Sequence, residues 1–429
     1  MADELPDRRD ARCLAARLLL AGLIVLALAA FGWRTFIRPH QADVPGSPSV
    51  PPPTPPVRQA SPPVPKEPPP RLWEAAVAGR VLALAAADLD GDGRADIVAC
   101  CENGDVLALS GADGSTTWTF EAKSRLTPPA IADLDGDGRM DLLVGTEDGR
   151  AIALAGDGSV LWIHRALERV FQVGAADLDH DGAADAVIAY PRGVKALSGR
   201  TATQIALIEY PRPGEVHFAL GDLDGDGTTD WVANYKEAEF HTRGVSGRDA
   251  STLWMRQMGE EVLTVPSIGD LDLDGRQECV YVSAASGDVL VLQGGTGREV
   301  RRYAMEGQTG TTTELADADA DGALDIFVVG YVWLVVLSGK DGSRLWSSAS
   351  LMLAPIVCDI EGGGPAECVV ADAAGIAVRA ARSGSQLARV LPHEISRVRP
   401  VVADLDGNGR LDVVAAVDGQ VIALTIPRK

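Results

Sequence analysis

A nine-residue pattern, D-x-D-x-D-G-x-x-D, recurs along this chain at a nearly constant interval, and no other feature restricts its fold so tightly. The first positions of the eight copies are Asp88, Asp133, Asp177, Asp222, Asp270, Asp317, Asp359 and Asp404, spaced 45, 44, 45, 48, 47, 42 and 45 residues apart. A self-similar period of this length is the signature of a repeat architecture whose units bury their apolar faces only against one another. In the first unit a short apolar run, 81–87, precedes the motif. Apolar residues 97–99 follow it, then a turn at 102–105, the run 106–109, a Gly/Asp turn and a segment bearing Trp118. Four short strands with turn punctuation make one antiparallel blade, so the expected fold is an all-β, eight-bladed β-propeller over residues 71–429.

A second period sets the phase. Trp73, Trp118 and Trp162 each lie 15 residues before the next motif, Trp254 lies 16 before Asp270, and Trp346 lies 13 before Asp359. The last repeat ends without its Trp strand, whereas the first is preceded by a spare one, Arg71-Leu72-Trp73. That N-terminal strand is therefore expected to complete the last blade and close the ring, leaving no open edge between blades.

The motif places oxygen ligands at positions 1, 3, 5 and 9, with Gly at 6 for a sharp turn. Hard cations require several oxygens, and calcium tolerates the irregular geometry of a short loop better than magnesium does. The candidate ligands are Asp88, Asp90, Asp92 and Asp96; Asp133, Asp135, Asp137 and Asp141; Asp177, Asp179, Asp181 and Asp185; and Asp222, Asp224, Asp226 and Asp230. They continue as Asp270, Asp272, Asp274 and Glu278; Asp317, Asp319, Asp321 and Asp325; and Asp404, Asp406, Asn408 and Asp412. The seventh copy has Gly363 at position 5 and Pro365 at position 7 and is expected to be empty, leaving about seven Ca²⁺ sites. Position 12 is Ala99, Val144 and Ile188 in the first three copies, so these loops lack the bidentate Glu of a helix–loop–helix calcium site.

The charge has the same origin. The chain carries 60 acidic and 39 basic residues, a net charge of −21, and 30 of the acids lie in the eight loops. Seven divalent ions would bring −21 to −7. An acidic chain offers no basic surface for phosphates, which argues against a nucleic-acid partner.

Eight D-x-D-x-D-G loops between strands resemble the FG-GAP/VCBS repeats of integrin α-subunit propellers and of many bacterial surface proteins. The segments Asp113-Gly114-Ser115-Thr116-Thr117-Trp118 and Asp341-Gly342-Ser343-Arg344-Leu345-Trp346 are also similar to the tryptophan-docking repeats of quinoprotein propellers. The first resemblance implies a calcium-binding propeller that serves in adhesion, binding or scaffolding. Its ligand would be an extracellular protein or a glycan.

Catalytic motifs do not compete well with that reading. His393-Glu394-Ile395-Ser396-Arg397 has Arg where a zinc-binding H-E-x-x-H needs its second His. No G-x-S-x-G, P-loop or dinucleotide fingerprint occurs, so a non-enzyme is expected. Two enzymatic or sugar-binding alternatives remain. A quinoprotein dehydrogenase would use the adjacent Cys100-Cys101 pair. A lectin or polysaccharide lyase would stack sugars on Tyr190, Trp231, Tyr235, Phe240 and Tyr331, although core packing explains Trp231 equally well.

Residues 18–33 are uncharged and apolar, with Arg8, Arg9, Arg12 and Arg17 before them and Arg34 and Arg38 after. Segment 18–37 is read as a transmembrane anchor helix, with a cleaved signal as the alternative, behind a cytoplasmic tail at 1–17. Residues 38–70 form a Pro-rich linker, 14 of the chain's 26 prolines falling within 39–70. The basic flank stays inside, so the propeller is expected outside the cytoplasm, in the envelope or at the surface. There Cys358 and Cys368, which flank the degenerate seventh loop, have two readings: a disulfide in place of the metal, or small apolar residues in both columns.

Overall fold

The computed structural model describes residues 71–427 except 167, 237–238, 260–264, 284–285, 306–309, 350–352, 363, 373 and 393–397. The expected anchor, linker and cytoplasmic tail lie outside the described residues. Among the described residues no helix is long and apolar enough to cross a membrane.

The described chain forms eight four-stranded antiparallel sheets. Blade 1 runs Val81–Ala87, Asp96–Cys101, Asp105–Leu109 and Thr116–Glu121, paired in that order from the ring's centre outward. Blades 2 to 7 repeat this plan. In blade 8, Val401–Ala403, Asp412–Val417 and Gln420–Leu424 take Arg71–Ala76 as their outer strand, Trp73 lying opposite Ala423. The two ends of the fold thus share one sheet.

Period-two alternation explains why the sheets form a ring. Successive residues of a strand face opposite sides, and here each side meets a different neighbour. Ile97 and Leu109 of blade 1 pack with Val414, Val421 and Trp73 of blade 8. Val98 and Ala108 pack with Leu142, Ile152 and Leu154 of blade 2. The second strands are consequently buried on both faces, whereas the outer strands alternate between buried and exposed positions. Inner strands are tied by side chains: the Gln172 amide donates to Phe218 O at 2.9 Å and accepts the Phe218 N–H at 3.1 Å. Arg399 reaches Glu314 at 3.0 Å and donates to Pro355 O at 2.8 Å, joining blades 8, 6 and 7.

Burial corrects one expectation about side chains and decides between two readings of another. Trp231 is fully buried between blades 3 and 4, and Tyr190 and Tyr235 are also buried, so they offer no stacking platform for a sugar. Of the five aromatic candidates only Tyr331 is largely exposed, at 73%. The cysteines follow the second of their two readings, as small apolar residues in both columns. Cys358 pairs with Glu367 and Val357 with Cys368. A one-residue offset puts the two thiols on opposite faces: Cys358 packs toward blade 8 and Cys368 toward blade 6, and both are free. Cys100 and Cys101 are likewise free, buried, and turned to opposite faces.

Candidate metal centres

Each acidic loop joins the first strand of a blade to the second. The turn between the third and fourth strands lies at the same sheet edge, because the first and third strands run parallel to each other. All eight loops therefore share one face of the ring. Backbone bonds link neighbouring loops there: Ala95 N–H donates to Asp404 O at 3.1 Å, Ala184 to Asp133 O at 2.7 Å, and Leu411 to Ile360 O at 3.1 Å.

Within a loop the carboxylates fold the backbone around themselves. Asp88 accepts the Gly91 N–H at 2.7 Å and the Gly93 N–H at 2.9 Å. Asp133 does the same with Gly136 and Gly138, and Asp222 with Gly225 and Gly227. Position 6 has a φ of +86° at Gly93 and +87° at Gly138, a region where only Gly is unstrained. Position 2 is apolar in every copy, from Leu89 to Leu405, and buried, so it pins the loop to the core. Its N–H donates to the position-9 carboxylate, as Leu134 does to Asp141 at 2.9 Å and Leu223 to Asp230 at 2.9 Å.

The oxygens that come within 4.8 Å of one another belong to positions 1, 3 and 9. These triads are Asp88, Asp90 and Asp96; Asp133, Asp135 and Asp141; Asp177, Asp179 and Asp185; Asp222, Asp224 and Asp230; and Asp270, Asp272 and Glu278, with two further groups among the described residues. Position 5 takes part in the turn itself. Asp92, Asp137, Asp181, Asp226, Asp274, Asp321 and Asn408 each accept the N–H of position 7 at 2.8–2.9 Å. Three of them also face a base of their own blade: Arg200 lies 3.1 Å from Asp181, Arg248 3.9 Å from Asp226, and Lys340 2.8 Å from Asp321. The Lys340 hydrogen bond holds Asp321 below the usual carboxylate range.

The triads suit a calcium-sized cation. Ligands about 2.3–2.6 Å from one ion can be at most about 5 Å apart, and these oxygens meet that limit. All eight position-9 carboxylates are buried. Burial pushes Asp141, Asp230 and Asp412 up to about 6 and Glu278 up to about 7, with the neighbouring loop carboxylates adding to the rise and backbone N–H groups opposing it. Asp177 Oδ1 and Asp319 Oδ1 are buried without any hydrogen-bond donor. Such groups are costly unless protonated or paired with a cation.

A glycine at the turn after the third strand completes the site, and the motif search did not single it out. A Cβ on Gly111 would sit 1.9 Å from the carbonyl oxygen of Ala95, at position 8 of the loop; Gly199, Gly247 and Gly339 are equally tight against Ala184, Thr229 and Leu324. Asp96 accepts the Gly111 N–H at 3.1 Å, Asp185 that of Gly199 at 3.2 Å, Asp230 that of Gly247 at 2.8 Å, and Asp325 that of Gly339 at 3.2 Å. The carbonyl of the same glycine receives an indole from the preceding blade: Trp73 Nε1 donates to Gly111 O at 2.6 Å and Trp162 Nε1 to Gly199 O at 2.5 Å. Trp118, Trp254 and Trp346 dock likewise on Gly156, Gly294 and Ala381. Where blade 5 has no Trp, Arg301 donates to Gly339 O. The sequence signal was a Gly recurring 14–17 residues after the position-9 acid.

Residues 77–144 match the family model described as FG-GAP-like repeat. No curated protein sequence matches the chain. Among solved structures, Sqt1 of Saccharomyces cerevisiae is similar at 10% identity and a TM-score of 0.65, over 84% of this chain and 100% of that one. BamB from Moraxella catarrhalis is similar at 16% identity and 0.55, over 81% and 99%. The quinohemoprotein alcohol dehydrogenase ADHIIG from Pseudomonas putida HK5 is similar at 11% identity and 0.57, over 84% and 77%. At these identities the likeness shows a shared propeller fold alone.

Proposed function

We propose that this propeller is a calcium-stabilised, non-enzymatic binding or scaffold module held outside the cytoplasm. Its partner would be an extracellular protein or a glycan. A β-propeller with FG-GAP-like repeats is generally a binding or scaffold module, and the family match at residues 77–144 supports that class. The calcium reading is carried by one observation: carboxylates of positions 1, 3 and 9 converge within 4.8 Å, with the position-9 member buried. Like charges so close repel strongly in a partly dry site, and a divalent ion would convert that repulsion into cohesion. Positions 1, 3, 5 and 9 would hold it, with position 5 also fastening the turn. The ion's part is to neutralise and cross-link; the chain's own N–H groups already orient the carboxylates.

The exported location fits such loops, because short extracellular modules bind calcium at about 10⁻⁴–10⁻³ M. A glycan partner would have to be held without the buried Tyr190, Trp231 and Tyr235. The test is thermal melting of the full-length protein in calcium and in EGTA, with elemental analysis for bound metal. We expect about seven calcium ions and a melting temperature at least 10 °C lower in EGTA, because each site at 100-fold its Kd adds about 2.7 kcal/mol. Identical melting curves and a metal-free protein would remove the reading.

A further inference from the structure

We propose that Trp73 and Trp162 are positioning residues for the cation sites of the first and third loops, so that occupancy of those loops is sensed at the seams between blades. This inference rests on the reading of the loops as calcium sites. Each unit is a continuous hydrogen-bonded relay. Asp96 accepts the Leu89 N–H at 3.2 Å with one oxygen and the Gly111 N–H at 3.1 Å with the other, and Gly111 O accepts the Trp73 indole at 2.6 Å. Asp185, Gly199 and Trp162 repeat the arrangement at 3.2 and 2.5 Å. The central glycine has little room to move, since its α-carbon rests on the carbonyl of the residue just before the ligand. A cation that draws in the Asp96 carboxylate must therefore shift or reload Gly111, and with it the indole. Conversely, an indole that fixes Gly111 fixes the orientation of the ligand. Groups that orient a metal ligand from behind commonly tune its affinity about 10–100-fold, and coupling of this kind is reciprocal.

The molecule contains its own controls. Trp254 docks on Gly294, whose N–H donates to the Gln277 carbonyl at 3.1 Å, and Trp346 docks on Ala381, whose N–H donates to the Ala366 carbonyl at 3.0 Å. For Trp254 the relay ends on a backbone carbonyl and bypasses the Glu278 carboxylate; for Trp346 it ends on a backbone carbonyl beside the seventh loop, which has Gly363 at position 5 and is expected to be empty. These two indoles should not sense the ion.

The experiment labels the full-length protein with 5-fluorotryptophan, assigns the ¹⁹F signals by Trp→Phe substitution, and titrates calcium with parallel calorimetry. The signals of Trp73 and Trp162 should shift saturably while those of Trp254 and Trp346 stay in place. Asp96→Ala should cancel the shift of Trp73 alone. Trp73→Phe should weaken one calcium site by on the order of tenfold, with the Trp162 signal still shifting as proof that the ring is intact. Calorimetric binding with Trp73 and Trp162 unmoved, or with all four signals moving alike, overturns the inference and leaves the calcium reading standing. Calorimetry without heat overturns both.

Discussion

The seam between blades 8 and 1 and the seam between blades 7 and 8 are built on one plan, and only the first is complete. At the first, Trp73 of the borrowed N-terminal strand docks on Gly111, and Gly111 is held by Asp96 of an intact loop. At the second, Ala388 occupies the register position of the Trp, opposite Val378 as Trp118 is opposite Ala108. Ile426 stands where the chain would offer an accepting glycine, and a cavity of about 60 Å³ remains, lined by Ile360, Leu387, Ala388 and Ile426. The loop beside it has lost its position-5 carboxylate, and Arg410 of blade 8 reaches Glu361 at 3.3 Å. At this seam the indole relay is absent, the seventh loop has Gly363 at position 5, and the Arg410 guanidinium lies against its Glu361. One seam depends on a relay through an intact acidic loop; the other is closed by apolar packing and an ion pair.

Removing the complete seam should have the largest effect. Deleting 71–76 takes away the outer strand of blade 8 and the Trp73 latch together, exposing the edge of Gln420–Leu424. We expect a melting temperature lower by more than about 10 °C, or an aggregated product. Deleting 39–65 should leave the melting temperature where it was, and equal melting of the two truncations would contradict the closure.

Point substitutions sharpen the contrast. Asp96→Ala strands the N–H groups of Leu89 and Gly111 in a buried place and should cost about 2–3 kcal/mol in denaturant unfolding. Glu361→Ala removes a half-exposed side chain from a surface pair and should cost less than about 0.5 kcal/mol. Similar losses from both would mean that the two loops are equivalent.

The pH dependence separates them further. In EGTA, burial holds Asp141, Asp230 and Asp412 at about 6 and Glu278 at about 7, above their unfolded values. Between those limits the folded state keeps protons that the unfolded chain has released, so stability should rise as pH falls from about 7 to about 5. In calcium the sign should reverse, because protons then compete with the ion for the same carboxylates. Melting curves at a few pH values, with and without calcium, decide this. A parallel dependence in the two conditions would exclude the position-9 groups as ligands.

The smallest expected effect lies at the incomplete seam. Ala388→Val adds two methyl groups next to the 60 Å³ cavity and should raise stability by about 0.5–1 kcal/mol. A loss instead would show that the cavity's walls cannot accommodate the added volume.

Much of this molecule could be read from local sequence. The blade count follows from eight motifs at a steady interval, the strand limits follow from turn residues, and ring closure follows from one spare Trp segment. All are encoded within a few residues of each other, and a period needs no knowledge of partners. The donor chemistry was equally legible, since carboxylates at alternate positions of a Gly-turn leave few uses. Register and facing were not. A shift of one residue put Cys358 opposite Glu367 and separated it from Cys368, and in a strand such a shift changes the face of every side chain. Tyr190 and Tyr235 look like surface aromatics until the neighbouring blade covers them. The relay from Asp96 through Gly111 to Trp73 spans 38 residues and the ring's own closure. Only the packing of one blade against the next could bring those three groups together, because no local rule relates an acid in one sheet to an indole in another.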